Sequence, residues 1–355
     1  TATTEIYTRS IVGSVRLYKR QHLILADDER NAKEIYEDYR FYDKNVYFYP
    51  AKDLLFFQAD IHGNLLIRQR MRVIRALLEQ EEVTVVTSID GCMDFLMPLE
   101  KIRSRLLHFK SDSVIDLDQL KEELVELGYE RTGQVELPGQ FSVRGGIIDI
   151  YPLTEDNPWR IELWDDEVDS IRSFDAESQR SLENVDEITI YPAAEKMDGE
   201  DMVSFLDYFP EEKTLVFLDE LNHLAENGEG VEEEYRQSRM HREEKGEANL
   251  PEQWLCGFQE LQKKLNRRNC VAVSALSPRR SGWKINEEFD LTVKSVDSYN
   301  SSFELLVKDL LQYKSQGYRI ALLSGSRTRA ERLAKDLSEE GLCLLYTSPS
   351  PRDIS

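Results

Sequence analysis

The sequence predicts an α/β protein in which a parallel α/β domain is interrupted by a small antiparallel, β-rich domain. Three observations predict this fold. Short strand-like runs alternate with helical runs over residues 22–99, and again after residue 195. Between these regions the apolar period changes to two, which is typical of half-buried strands. Residues 293–342 give helix, strand and helix, and predict the start of a further α/β domain.

The parallel domain begins with residues 1–110 and is completed by residues 196–292. The runs "HLILA", "VYFYP" and "EVTVVTS" predict buried strands, and "ERNAKEIYEDY" and "LLIRQRMRVIRALLEQ" predict the helices between them. This order predicts parallel pairing, because parallel strands need a crossover connection. Arg68, Arg72 and Arg75 lie mostly off the apolar stripe of the second helix, and we expect them on a solvated face.

The order of elements is P-loop-like, but the phosphate-binding motif is absent. No G-x-x-x-x-G-K-[ST] occurs, so nothing supplies the glycine-rich cradle and the lysine. "LVFLDE" ends in Asp219 and Glu220, which resemble the acidic pair of a magnesium site. We interpret them as an exposed acidic turn after a structural strand. The five histidines have no ligand spacing and no G-x-S-x-G occurs. The sequence therefore predicts no catalytic, cofactor-binding or metal site.

Composition restricts the function classes. The net charge of −22 argues against a surface that tracks nucleic acid throughout, because phosphate neutralisation needs excess Lys and Arg. The four scattered cysteines indicate a reducing compartment without a disulfide framework. No apolar run approaches the roughly 20 residues of a membrane span. We therefore expect a cytoplasmic protein that makes no contact with membranes.

Both ends of the sequence look artificial. The first residue is Thr, and residues 343–353, "CLLYTSPSPRD", resemble a translated sequencing-library adapter. Their Ser-Pro composition breaks abruptly from the helical pattern before them, although a native proline-rich tail is the alternative. We expect residues 343–355 to be a non-native tail and the chain to be a fragment of a longer protein.

Residues 111–195 predict the small sheet domain. It opens with "DLDQLKEELVELGYE", which predicts a short helix. Asp116 is its expected N-cap, with Gln119 three residues later, and Gly128 is the expected stop. After this helix the period changes to two, so the remainder of the domain is predicted to be a sheet.

The strands of this domain place arginine and tryptophan on one face. In "GQFSVRGGIIDIYP", alternation puts Arg144 opposite the apolar residues, and two glycines then permit a bend or bulge. In "WRIELW", Arg160 and Trp164 point one way and the aliphatic residues the other. "VDSIRSF" and "EITIYPA" add further strands. Alternation slips between Val168 and Ile171, which leaves the register of the return strand open.

Arg144, Arg160 and Trp164 form a candidate protein-binding surface. Arginine and tryptophan are enriched at interface hot spots, because they combine a fork of donors with a large rigid apolar area. The alternative is structural: an arginine stacked on the tryptophan, with cross-strand pairing to Glu162 or Asp169. Composition alone does not separate the two interpretations.

After residue 195 the α/β pattern resumes. "KTLVFLD" and "NCVAVSAL" predict strands, and the charged run "AENGEGVEEEYRQSRMHREEKGEAN" between them predicts a solvated helix or a mobile loop. In "SFELLVKDLLQYKSQGYRIALLSGSRTRAERLAKDLSEEGL" the turn "GSRTRA" resembles a phosphate-binding strand-to-helix turn. Any α/β unit can carry such a turn, so it indicates no particular ligand.

Three motifs carry a resemblance to a known family. "GQFSVRGGIIDIYP", "RIELWDDEVDSIRSFDAESQRS" and "ITIYPA", in this order and spacing, resemble the region shared by UvrB excision-repair proteins and the transcription-repair coupling factors, the Mfd family. "YPAKDLLFF" upstream and "GYRIALLSGSRTRAERLAKDL" downstream are similar to the coupling factors. UvrB proteins carry a P-loop and helicase motifs, and neither is present here, so the resemblance favours the Mfd family.

The resemblance implies a function. Full-length coupling factors are ATP-driven DNA translocases that remove RNA polymerase stalled at lesions and recruit UvrA through a UvrB-like module. In that module two arginines and an aromatic residue contact UvrA, and they match Arg144, Arg160 and Trp164 here, where the family often has Phe at the last position. Contacts to RNA polymerase and double-stranded DNA, and the ATP and magnesium of the motor, are expected beyond residue 342. The chain itself is expected to be a UvrA-recruiting adaptor, not an enzyme.

Two other interpretations stay open. One is a UvrB-type excinuclease subunit or degenerate ATPase module that uses Asp219 and Glu220. The other is a DNA-binding module that uses the helix face from Arg68 to Arg75, whose affinity would fall steeply with salt.

Overall fold

The computed structural model describes residues 21–52, 60–80, 82–194, 202–246, 255–276, 282–291, 299, 302–322 and 326–342. Contacts divide the chain into two compact units, residues 1–286 and 287–355. The strands are Gln21–Ala26 (β1), Val46–Tyr49 (β2), Val83–Ser88 (β3), Phe95–Leu96 (β4), Leu107–Lys110 (β5), Glu130–Arg131 (β6), Gln140–Arg144 (β7), Ile147–Ile150 (β8), Trp159–Trp164 (β9), Glu167–Phe174 (β10), Ser181–Val185 (β11), Glu187–Ile190 (β12), Val203–Ser204 (β13), Thr214–Asp219 (β14) and Asn269–Val273 (β15).

The α-helices are Glu29–Tyr39 (α1), Asp60–Glu79 (α2), Ile89–Cys92 (α3), Leu99–Ser104 (α4), Leu117–Glu126 (α5), Leu221–Lys245 (α6), Phe258–Leu265 (α7), Phe303–Ser315 (α8) and Arg327–Glu339 (α9), and Phe205–Tyr208 forms a 3₁₀ turn. None of the helices in the described ranges has the length and apolar character that a bilayer crossing requires.

A five-stranded parallel sheet confirms the predicted α/β fold. Its order is β15-β14-β1-β3-β2, and every neighbouring pair is parallel. All six residues of β3 are buried, as expected for a central strand of a sheet covered on both faces. The order places β14 directly beside β1, so the chain after the inserted domain completes the same sheet. β15 is an exposed edge strand.

A six-stranded sheet, β11-β10-β9-β8-β7-β6, confirms the predicted β-rich domain. Its pairs are antiparallel except for β6 with β7. The strand in "EITIYPA", β12, lies outside this sheet and pairs antiparallel with β5. β5 lies just before residue 111, the predicted start of the domain, and β12 lies close to its predicted end. Helix α5 and the β5–β12 pair cover the inner face and enclose one apolar cluster with it.

Two local predictions are confirmed in this domain. The register of β10 against β9 shifts between Val168 and Ser170, which accounts for the slip in alternation. The Asp116 carboxylate accepts hydrogen bonds from the backbone of Asp118 and Gln119, and so caps α5. The Gln119 amide does not complete a capping box; it donates to Glu123 one turn later.

The arginines of α2 do not lie on a solvated face, so that expectation is wrong. Arg68 donates to the Glu155 carbonyl at 2.7 Å and to the Asp156 carboxylate at 2.8 Å. Arg72 reaches the same carboxylate at 2.5 Å, and Arg75 reaches the Glu155 carboxylate at 2.6 Å. We call these five residues the arginine seam. It joins α2 of the parallel domain to the loop between β8 and β9 of the inserted domain.

The charged run after β14 forms α6, a helix of 25 residues. Its N-terminal part packs on α7 at Gly228, where an added Cβ atom would lie 2.3 Å from the buried ring of Phe258. The absence of a side chain at this position therefore allows the two helices to approach each other.

In the second unit α8 and α9 share a small apolar cluster of Val307, Leu310, Leu337 and Leu342. Residues 318–322, predicted to begin a strand, have no regular secondary structure and no strand pairing in the described part. Residues 323–325, which end the predicted strand and begin the predicted turn, and the proposed adapter tail, residues 343–355, lie outside the described residues.

Candidate protein-binding site

The three predicted residues lie on the outer face of the six-stranded sheet. Arg144 ends β7, and Arg160 and Trp164 lie four positions apart on β9. Between these strands runs β8, whose Asp149 is directly opposite Arg160. The sheet therefore brings both arginines to one carboxylate, as the predicted facing requires.

Asp149 accepts hydrogen bonds from both arginines. Its Oδ2 atom accepts from Arg144 Nη2 at 2.6 Å and from Arg160 Nη2 at 2.9 Å, and its Oδ1 atom accepts from Arg160 Nε at 2.6 Å. The Asp149 side chain is only 1% exposed, whereas that of Arg144 is 46% exposed. The fold depends on these ion pairs, because removal of an arginine partner would leave the buried Asp149 charge less well compensated and would destabilise the protein.

Arg160 is more buried, and makes more contacts within the domain, than the sequence indicates. Its side chain is 13% exposed, its guanidinium lies 4.3 Å from the centre of the Phe174 ring, and it also donates to Gln179 Oε1 at 2.9 Å. The hydrogen bonds to Asp149 raise the pKa of Arg160 above its usual value. Arg160 therefore shows a partner only part of its surface, while Arg144 is the more accessible cation.

Trp164 is 80% exposed and lies at the tip of the hairpin between β9 and β10. Asp165 follows it in the left-handed region, with φ of 61°, and Glu167 is its cross-strand partner. An indole ring exposed at the end of a rigid hairpin presents a large apolar area at low entropic cost.

The contacts on this face differ from the structural alternative given above, in which an arginine stacks on Trp164 and pairs across the strands with Glu162 or Asp169. Arg160 stacks on Phe174 and not on Trp164. Glu162 accepts from both terminal guanidinium nitrogen atoms of Arg172, and this pairing lowers the pKa of Glu162. The cation–π and salt-bridge contacts of the described residues therefore leave the Trp164 indole available.

Gly145 and Gly146 form the two-residue turn that ends β7. Gly145 has φ of 62°, a conformation that residues with a side chain rarely adopt. An added Cβ atom on Gly146 would lie 3.0 Å from the carbonyl oxygen of Leu163, because β9 runs close beside the turn. The glycine pair thus lets the β7–β8 hairpin close against β9, and Arg144 is fixed at the hairpin's end.

Asp149 and Phe174 are the residues that sequence reasoning missed. The two-residue turn sets the β7–β8 register, and a carboxylate in the apolar run "IIDIYP" is an available signal for Asp149. Its pairing with Arg160 depends on the register of β8 with β9, and these strands are joined by an irregular loop, residues 151–158. Local sequence does not fix that register.

The acidic pair at the end of β14, Asp219 and Glu220, takes part in local structure. The Glu220 carboxylate accepts from the backbone of Ala275, and burial together with Glu220 and Asp27 raises the pKa of Asp219. At the end of neighbouring β1, where a P-loop would lie, the Asp28 carboxylate caps α1 by accepting from Asn31 at 2.7 Å. No metal-binding group of His, Cys, Asp and Glu occurs among the described residues.

Comparisons with known proteins agree with the resemblance read from the sequence. Residues 107–195 match the UvrB interaction domain. The transcription-repair-coupling factor of Bacillus subtilis is 27% identical over 84% of this chain and 30% of its own length. That of Staphylococcus epidermidis RP62A is 26% identical over 90% of this chain and 32% of its own length.

A shorter match, to the Staphylococcus aureus USA300 factor, is 37% identical over 46% of this chain and 14% of the relative. This chain is related to the transcription-repair-coupling factors. The resemblance to the coupling-factor family is therefore confirmed, and the chain spans about a third of the length of the first curated relatives that it matches. The match to the UvrB interaction domain includes Arg144, Arg160 and Trp164, whose role stays a prediction.

Proposed function

We propose that this chain is the UvrA-recruiting adaptor module of a transcription-repair-coupling factor. The observation that carries the proposal is the outer face of the six-stranded sheet. There Arg144 and Arg160 share the buried Asp149 carboxylate, and Trp164 is exposed at the hairpin tip where β9 ends. The match of this sheet to the UvrB interaction domain supports UvrA as the partner.

The chemistry of this face suits a protein partner. Arg144 and Arg160 carry two positive charges against the one negative charge of Asp149, so the cluster has an excess of positive charge. Arg144 is the accessible arm for a partner carboxylate, and such charge-assisted contacts are among the stronger hydrogen bonds. A tryptophan side chain offers about 150–250 Å² of area. Covering half of it is worth about 2–3 kcal/mol at 25 cal/mol per Å².

Activities of the whole relative are also part of the proposal. We assign displacement of stalled RNA polymerase, ATP-driven movement on double-stranded DNA, and the magnesium that accompanies ATP, to the part of the relatives' length that this chain does not span. The adaptor is assigned to the bacterial cytoplasm. The arginine seam favours this proposal over a DNA-binding module, because carboxylates occupy the Arg68, Arg72 and Arg75 side chains.

Calorimetric titration of the chain with purified UvrA tests the proposal. We expect the wild-type chain to bind, and Arg144→Ala and Trp164→Ala each to weaken binding by about 2 kcal/mol or more. Phe41→Ala is the matched control, because Phe41 is equally exposed but lies after α1 in the parallel domain. A loss below about 0.5 kcal/mol for both site variants, within ordinary surface variation, refutes the site assignment.

Arg160→Ala needs a stability measurement beside the titration. Removing this guanidinium leaves the Asp149 carboxylate buried with Arg144 as its remaining arginine partner, and we expect a lower melting temperature as well as weaker binding. Arg144→Ala and Trp164→Ala truncate exposed side chains, so they separate binding from folding more cleanly.

A further inference from the structure

Asp149 lies at the centre of the candidate surface but cannot itself be the contact. Its side chain is 1% exposed, and its two oxygen atoms are taken up by three arginine N–H groups. A partner protein therefore meets the arginines that Asp149 holds, and not the carboxylate.

The donors that remain free define what the arginines can bind. A guanidinium carries five N–H groups. Arg144 uses one of them on Asp149, and Arg160 uses three on Asp149 and Gln179. Within the described part of the chain the other N–H groups have no hydrogen-bond acceptor. These groups, on two side chains held by one oxygen atom, suit a carboxylate of the partner.

If the Asp149 carboxylate were removed, the close approach of the Arg144 and Arg160 guanidinium groups would be unfavourable. Two guanidinium groups that share one acceptor atom repel each other, and the repulsion is stronger where solvent is partly excluded. Arg144 is half exposed and has many alternative rotamers, so loss of the anchor would let it move away into solvent. Preorganisation by a buried group reduces the entropic cost that the interface otherwise carries.

We propose that Asp149 is the positioning residue of this surface, which holds Arg144 and Arg160 side by side for an acidic group on the partner. The inference rests on the proposed function, because it takes UvrA as that partner. Asp149 acts through the arginines and makes no contact of its own.

The test is Asp149→Asn, which keeps the shape of the side chain and removes its charge, titrated with purified UvrA. Asp94→Asn is the matched control: Asp94 is also a buried carboxylate paired with an arginine, Arg70, but it lies in the parallel domain. Both variants are expected to melt at lower temperature. At a temperature where circular dichroism shows both folded, only Asp149→Asn is expected to bind UvrA at least about tenfold more weakly.

A double-mutant cycle supplies the readout that a purely structural role would not move. If Asp149 acts through Arg144 as well as Arg160, the loss of affinity from Asp149→Asn is smaller in the Arg144→Ala background than in the wild-type chain. Additive losses, or wild-type affinity of Asp149→Asn, overturn the positioning role while Arg144→Ala still supports the proposed function. Wild-type affinity of Arg144→Ala and Trp164→Ala would instead refute the proposed function itself.

A second variant keeps the test decisive if Asp149→Asn does not fold. Arg144→Lys keeps the charge and can still reach Asp149, but it loses the planar fork. If Asp149 positions the planar guanidinium of Arg144, Arg144→Lys should bind UvrA at least about fivefold more weakly, with an unchanged melting temperature. Wild-type affinity of Arg144→Lys overturns the proposal, because charge alone would then be sufficient.

Discussion

The arginine seam gives a prediction about how the inserted domain is held to the parallel domain. The double variant Glu155→Gln, Asp156→Asn removes both carboxylates of the seam, so Arg68 and Arg72 lose their ion pairs there and Arg75 keeps only its pair with Glu79. The side chains stay close in size, so the change tests electrostatics and not packing.

The magnitude follows from exposure. The Asp156 side chain is 82% exposed, so its pairs with Arg68 and Arg72 are worth about 0.2–1 kcal/mol each. The Arg75–Glu155 pair is more enclosed, and a hydrogen bond between charged groups there is worth about 1.5–3 kcal/mol. Burial alone would lower the pKa of Arg75, but Glu155 and Glu79 raise it above its usual value, which agrees with a favourable pair. These contributions sum to about 2–5 kcal/mol, and we expect a loss near the lower end because Arg75 keeps its pair with Glu79.

Urea unfolding followed by tryptophan fluorescence measures this loss at low and high salt. Screening shortens the Debye length from about 10 Å at 0.1 M to about 3 Å at 1 M, so we expect the loss to shrink by about half at high salt. Glu233→Gln is the control, since its carboxylate pairs within the single helix α6. A double variant within about 0.5 kcal/mol of wild type, or a loss that salt does not change, refutes this account of the seam.

Two further predictions concern stability. Gly228→Ala should destabilise the protein by about 1–2 kcal/mol, because overpacking against Phe258 outweighs the roughly 1 kcal/mol that alanine gains in a helix. Gly230→Ala, two residues along the same helix with open space around it, should instead be stabilising in the same denaturation assay. Burial raises the pKa of Asp90, so its ionised form opposes folding at neutral pH, and this cost disappears as pH falls through the raised pKa towards 3.8. Asp90→Asn should therefore raise Tm at pH 7 and lose that advantage in acid, whereas Asp118→Asn, at a carboxyl whose pKa Lys121 lowers, should show no gain at pH 7.

The alternation of apolar and polar residues predicted the features of the inserted sheet that depend on neighbouring residues in sequence. Alternation placed Arg144, Arg160 and Trp164 on one face, and its slip located the irregularity in β10. The arginine seam was not predictable in this way, because its partners lie 80 or more residues apart in sequence and in different domains. An arginine outside the apolar stripe of a helix gives the same sequence pattern whether it faces water or another domain.

The ion pair between Asp149 and Arg160 could not be predicted from the sequence for a related reason. Turn chemistry fixes the register of hairpins with short loops, but the loop before β9 is irregular, so the cross-strand neighbour of Arg160 was open. The same limit applies to β12, which reads as one more strand of the sheet and instead pairs with β5.

The position of β14 beside β1 has a consequence for the order in which the chain matures during synthesis. β1 ends at residue 26 but pairs with β14, which begins at residue 214, so the parallel sheet closes only after the intervening chain has left the ribosome. The inserted sheet is built mainly of neighbouring hairpins, and β12 at residue 190 completes its pairing with β5. Local contacts form faster than distant ones. We therefore expect the surface of Arg144, Arg160 and Trp164 to be shaped on the nascent chain before the body that carries it has finished folding.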